Sequence, residues 1–535
     1  MKRRSFIEFL GGGVLAYGLA PGFMMGCKSP EKVKEFSVPF TSIDAVQKDE
    51  LLMADGFNYD VLISWGDKIN ETESFGFNND FTAFIPLNKS GNEGLLWVNH
   101  EYHHPIFTSG NDGSQPITKE QVEMDMDQVG GSIIRIKKDG AGKWNLVAGD
   151  AMNRRLTAKT EIPFNWPEEI MGSKSAIGTM SNCSGGVTPW GTILTCEENY
   201  DMYYGERDFS TGVPEGVMVP GVYGWERFID YPTEHYGWVV EVNVRTGEAQ
   251  KHVGLGRCAH ECATMKELAD KRLVVYTGDD SNDECFYKFV GSKPRSLTEG
   301  TLYVANIEKQ RWESLDWETR PELKDKFKNQ TEVLIRLREA SKLVGGSLLD
   351  RPEDIEIDPF DGSVLVSLTN NKPKGNFMGS IMKLREKDGK HDAMEFESET
   401  YLAGGVEMGF CCPDNMAFDP AGNLWITSDI SGSEIGNEVY SEFGNNGLYV
   451  IPRHGVDAGK VFQVASAPTD AELTGPYFSP DGKTLFLSVQ HPGEGTTDIN
   501  NPTSHWPGGG NSVPKPSVVC ISGPSLEALT TVLTT

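Results

Sequence analysis

The chain has 535 residues and a formal net charge of −28, a balance that repels polyanions and argues against nucleic acid as a partner. Its nine cysteines are odd in number and show no CxxC spacing, so a zinc ribbon or a thioredoxin-like site is unsupported. A hydrophobic fraction of 38% is ample for a large core, and 59 glycines with 29 prolines suit an all-β chain with many turns.

Residues 1–27 read as an export leader: Lys2-Arg3-Arg4 is basic, and an apolar, Gly-rich stretch runs on to Met25. The Arg3-Arg4-x-Phe6 pattern resembles the twin-arginine type, which carries folded proteins, so that export machinery is an expected partner and the periplasm or cell envelope the expected location. Gly26-Cys27 resembles a lipobox, which would put an acyl anchor on Cys27, although Met24 fits such a box poorly. The leader is short and Gly-rich for a membrane-spanning anchor, and no later segment is apolar for long enough to span. Residues 28–50 are polar and charged and read as a tether, which leaves 51–535 for one catalytic domain.

Six similar units follow. The apolar runs are Leu95–Val98, Thr192–Cys196, Leu273–Thr277, Val364–Leu368, Leu424–Ser428 and Leu485–Val489, and each ends in polar or acidic residues. Turn chemistry precedes several of them: Asp358-Pro359 with Asp361-Gly362, Asp419-Pro420 with Gly422, Ser479-Pro480 with Gly482. Apolar runs bounded by such turns are buried strands. Their recurrence predicts a six-bladed β-propeller. Roughly 40–45 residues per blade leave much of the chain over. The remainder is assigned to long insertions between strands, among them a Tyr- and Gly-rich stretch at 201–236 and a charged, helical one at 310–345.

Strand ends that face the channel of a propeller meet in space. The groups so placed are Asn99-His100-Glu101, Asn182-Cys183, Glu197-Glu198, His260-Glu261, Asp279-Asp280, Arg351-Glu353-Asp354, Asp414-Asn415 and His491 with Glu494. Each by itself suits an ordinary surface acid, a buried cysteine or a core imidazole; recurrence at one point of the repeat favours a site. So many acids around one pore need cations. Carboxylate and amide oxygens suit calcium, and one thiolate among carboxylates suits a transition metal such as iron.

In order, Phe75-Gly76-Phe77-Asn78-Asn79-Asp80, Val98-Asn99-His100-Glu101-Tyr102, Asn182-Cys183-Ser184-Gly185-Gly186, His260-Glu261, Tyr276-Thr277-Gly278-Asp279-Asp280, Asp350-Arg351-Pro352-Glu353, Pro413-Asp414-Asn415 and Gln490-His491-Pro492-Gly493-Glu494 resemble the PhoX family of secreted bacterial alkaline phosphatases. The resemblance implies a six-bladed propeller holding two ferric ions and several calcium ions, and hydrolysis of small phosphate monoesters; a monomer is the expected state. It implies iron ligands at Cys183, at one of Glu197 or Glu198, at Glu261 and at Glu353. Calcium-ligand candidates are Asp280, Asp354, Asp414 and Glu494, and Arg351 with Asn99 would hold the phosphate. Cys258, Cys262 and Asp354 depart from the family's usual residues. Two other classes stay open. A calcium-dependent lactonase-like propeller would leave Cys183 and Arg351 without a role, and a non-enzymatic binding propeller would leave the acids without one.

Overall fold

A computed structural model describes residues 36–213 and 215–531. The leader and Cys27 lie outside the described residues. Six sheets of four or five antiparallel strands form the blades of the expected propeller. Their innermost strands are Asn79–Pro86, Asn182–Val187, Thr264–Glu267, Pro352–Ile357, Pro413–Phe418 and Glu472–Phe478. Each packs against the innermost strands of both neighbouring blades, which closes the ring. Each second strand is one of the apolar runs read from the sequence, and most are buried end to end, as in Leu485–Gln490.

Local chemistry sets these strands. The turns before the fourth, fifth and sixth second strands share one bond, from the N–H of Gly362, Gly422 and Gly482 to the carbonyl of Asp358, Asp419 and Ser479 at 3.0, 2.9 and 2.8 Å. Gly362 has φ +72°, a left-handed conformation that glycine adopts without strain. Between blades, side chains from both sheets interlock. Phe84 of the first blade stacks on Phe486 of the sixth at 5.7 Å, with Trp144 beside them. Burying such rings is worth about 1.5–3 kcal/mol each.

The N-terminal part of the body seals the ring. Leu52–Met53 pairs with Phe462–Ser466 as an added strand of the fifth blade, and Asn58–Ser64 pairs with Ser517–Ser522 as the outer strand of the sixth. The expected tether needs correction here. From Ser37 onward it belongs to the folded body, because Phe40 is buried against Phe57 and Phe462, Ile43 bonds to the Gln463 carbonyl, and Asp49 accepts from Ser504. Polar composition concealed a single aromatic anchor.

The insertions are where they were expected. Asp201–Tyr204 is a helical turn, followed by a hairpin of Glu206–Asp208 with Val217–Val219. Helices Pro321–Lys326, Gln330–Ile335 and Leu337–Leu343 pack Leu323, Val333 and Leu337 into the core between the second and third blades. A further helix, Lys119–Met126, starts at a Thr118/Gln121 capping box.

Candidate metal centre

One backbone device recurs where the inner strands begin. Asn78, Ser181, Arg351, Cys412 and Asp470 have φ of 37°, 52°, 54°, 46° and 59°, left-handed values that cost a non-glycine residue about 1–3 kcal/mol each. Two residues later stand Asp80, Cys183, Glu353, Asp414 and Glu472. The third blade has Glu261 in this place, just after His260 bridges to Asp279. Strand pairing slips beside these positions, between Asn79 and Thr82, Asn182 and Gly185, Pro352 and Ile355, and Pro413 and Met416. Such bulges re-aim side chains. The result is one ligand-type side chain from every blade, all lining one cavity of ≈ 510 Å³.

A second tier comes from the ends of the second strands. His100, Glu197, Asp279 and Ser428 pair with the residues just before the inner ligands, and the residue after each is Glu101, Glu198, Asp280 or Asp429. All four line the same cavity.

Cys183 is central. Its Sγ lies 3.2 Å from Asp80 Oδ2 and 3.2 Å from Glu261 Oε1. It belongs to two clusters, Asp80/Glu101/Cys183 and Cys183/Glu198/Glu261, in each of which the donor atoms lie within 4.8 Å of one another. Burial pushes Asp80, Glu198, Glu261, Glu353 and Glu472 well above the usual carboxylate range, and neighbouring acids push most of them further. Burial likewise raises Glu101 and Asp414 to about 7, and raises the Cys183 thiol. Asp80 Oδ1 is buried with no hydrogen-bond partner. Buried carboxylates and a thiol, mutually repelling and partly unpartnered, fit bound cations, which reverse the local field and keep such groups ionised.

Among the described residues, Arg351 is the one arginine or lysine side chain lining this cavity. Its Nε and Nη2 each donate to Asp280 at 2.9 Å, and Nη1 and Nη2 reach Asp429 at 3.2 Å. Nη2 also forms an ion pair with Glu353 Oε1 at 2.7 Å. Three carboxylates therefore fix the guanidinium, with its side chain 24% exposed toward the cavity.

Of the residues expected from sequence, Arg351, Cys183, Glu198, Glu261, Glu353, Asp280, Asp414 and Glu494 meet at the cavity. Three do not. Glu197 points to the other face of its strand, into a buried pair with Lys251 at 2.6 Å, which leaves Glu198 as the cavity residue. Asn99 is fully engaged behind the site: Nδ2 donates to the Cys183 and Ser184 carbonyls, and Oδ1 accepts from Trp97 and Thr195. It has no bond left for phosphate and instead positions the Cys183 backbone. Asp354 faces a cavity away from the metal centre, where its oxygens accept the Ile355 and Met416 N–H groups.

Asp80, Asp429 and Glu472 were missed. The signal for them was present: each occupies a repeat position that Glu353, Asp414 or Asp280 made visible. Cys262 lies behind the site, where its sulfur accepts from Ile355 N–H. His260 is held by Thr277 and the Gly256 carbonyl and serves the framework.

The family model for alkaline phosphatase PhoX matches residues 38–493. Pseudomonas fluorescens PhoX, solved in complex with vanadate as a transition state analogue, aligns with TM-score 0.81 and 28% identity over 91% of this chain and 98% of that one. A Dyadobacter fermentans protein of unknown function aligns with TM-score 0.39 and 11% identity over 88% of this chain and 100% of its own, too distant to carry an argument. A Xanthomonas campestris gluconolactonase, at TM-score 0.35 and 10% identity over 90% and 100% of the two chains, is equally remote. No curated protein matches the chain in sequence. With the matched family spanning most of the propeller, the chain belongs to the alkaline phosphatase PhoX family and is a metal-dependent hydrolase of phosphate monoesters.

Proposed function

We propose that the cavity holds iron at the Cys183 clusters and calcium at the oxygen-only positions, and that phosphate monoesters bind there against Arg351. The observation that carries this reading is Cys183 shared between two carboxylate clusters. A thiolate selects a transition metal over calcium. Asp80, Glu101, Glu198 and Glu261 complete those clusters, with Glu353 adjoining. Asp414, Glu472 and Glu494 offer carboxylate oxygens alone, which suit calcium.

When bound, the cations supply positive charge that holds and polarises phosphoryl oxygens. The chain's own residues do the rest. Arg351 donates N–H groups to the ester's phosphate oxygens and to the charge that grows on them. Asp280, Asp429 and Glu353 prevent its guanidinium from swinging away. Tyr102 donates to Glu494 at 2.8 Å, and Gln490 to Glu101 at 2.5 Å, which orients these carboxylates. Asn99 holds the Cys183 backbone in place. The leader at residues 1–27 supports export to the cell envelope by the twin-arginine route, with Cys27 as the position for a lipid anchor.

The test is elemental analysis beside p-nitrophenyl phosphate turnover, with and without a calcium chelator. Iron and calcium in the purified protein, with turnover lost on chelation, is the expected result. Metal-replete protein without turnover would overturn the reading. Cys183→Ala should lose iron; a variant that kept it would remove the ligand assignment alone.

A further inference from the structure

The mouth of the cavity is built from unlike materials. Loops of the third and fifth blades contribute Ser281, Asn282 and Ser431, whereas those of the first and second contribute Tyr102, Met202 and Tyr223. Tyr223 lies in the insertion after Asp201, which the metal centre leaves without a role. It is firmly built in. Its N–H donates to the Met202 carbonyl at 2.8 Å. Its ring centroid lies 4.2 Å from His103 and 5.0 Å from Tyr203, which in turn packs 4.6 Å from Trp225. Tyr203 and Trp225 are fully buried, but Tyr223 is only half-buried and its free surface lines the cavity. A held aromatic face beside a polar pocket is the usual way to bind a flat apolar group at small entropic cost.

We infer that Tyr223, flanked by Met202 and Tyr102, is a specificity-determining residue that receives the alcohol part of the ester and favours a flat, uncharged, aromatic or heteroaromatic group. Charge points the same way. Among the described residues Arg351 is the one arginine or lysine lining the cavity, so a further anionic group on the alcohol part meets no second arginine or lysine at the mouth. This inference rests on the reading that the phosphate is held at Arg351.

The experiment compares ethyl phosphate with 2-phenylethyl phosphate, whose leaving alcohols are similar in acidity and differ in one remote ring. The metal-loaded enzyme should show a KM about three- to tenfold lower for the phenylethyl ester, the range expected of one aromatic contact, with similar kcat. In Tyr223→Leu, which keeps apolar packing but removes the flat face, the two KM values should converge; Tyr223→Phe should restore the difference. Iron content is read in parallel as the measure of an assembled site. Equal KM values in the unaltered enzyme, or a preference that survives in Tyr223→Leu, would overturn the inference. Failure of the phosphatase reading would appear separately, as absent turnover of ethyl phosphate.

Discussion

At the scale of single residues, burial separates groups that hold the site from groups that form it. Glu197 and Glu198 are neighbours with opposite duties. Glu197 is buried against Lys251, accepts the Trp238 N–H at 3.1 Å and offers its carbonyl to His260, so it braces two ligand-bearing segments from behind. A buried pair like this is costly to break and not strongly stabilising when whole, which fits a role in fixing geometry. His103 and Asp125 are a second buried couple, under the mouth of the cavity. Their 3.4 Å approach is long for a charge-assisted bond, and Tyr203, Tyr223 and Trp225 surround the imidazole. Burial pushes Asp125 up to about 7 and His103 down to about 3, so both are neutral through the mildly acid range. The sign follows from linkage. Folded Asp125 keeps a proton that the unfolded chain releases near 3.8, so its contribution is complete below about 4 and is lost as pH rises through about 7. His103 contributes with the opposite sign over this range, because the unfolded chain binds a proton near 6.5 that the folded one refuses, so the readout is a difference: in urea unfolding the stability of the unaltered protein relative to Asp125→Asn should fall by a few kcal/mol between pH 5 and pH 8. Equal pH dependence in both proteins would refute the neutral pair.

At the scale of elements, the insertion helices matter because of what one of them carries. Leu337–Leu343 delivers Arg338 to Asp279 through two bonds of 2.9 and 2.6 Å, and Asp279 accepts the Ala259 N–H at 3.2 Å. Asp279 precedes the cavity residue Asp280, and Ala259 leads into His260-Glu261, so one arginine steadies cavity-lining residues on two segments. Arg338→Met should weaken metal retention by about 10–100-fold in a chelator competition, with the propeller still folded. Unchanged retention would leave the helices with packing alone. The blades and these helices were legible in the sequence because continuous apolar runs and turn residues announce them. The site was legible where an acid ended such a run, as at Glu198 and Asp280. The inner strands were harder, since a bulge and a left-handed residue interrupt their pattern and hid Asp80 and Glu472. Glu197 was misplaced for a different reason, since side-chain alternation turns it away from its neighbour Glu198, which does reach the cavity; Asn99 was misplaced because its bonds to the Cys183 and Ser184 carbonyls leave no trace in the sequence pattern.

At the scale of the whole molecule, the ring makes stability and metal binding one problem. Closure depends on two N-terminal strands that join the fifth and sixth blades, while the centre takes one ligand-type residue from each of the six blades, in or just before its inner strand. Without cations those buried side chains must either take up protons or repel one another, and neither state holds the blades together. On the proposed reading cations tie every blade to the same centre, adding to hydrogen bonds that already cross between blades, such as Asn99 to the Cys183 carbonyl and Met416 N–H to Asp354. Ligand linkage sets the scale: a metal present at about a thousand times its dissociation constant stabilises the folded state by about 4 kcal/mol. Chelation should therefore lower the calorimetric melting temperature by several degrees, and in hydrogen exchange it should raise the rates of the inner strands of all six blades together. If Cys183 holds a transition metal as proposed, Cys183→Ala should shift less on chelation. If only the second blade responded, the cations would be serving one strand, and the idea that they hold the ring together would fall.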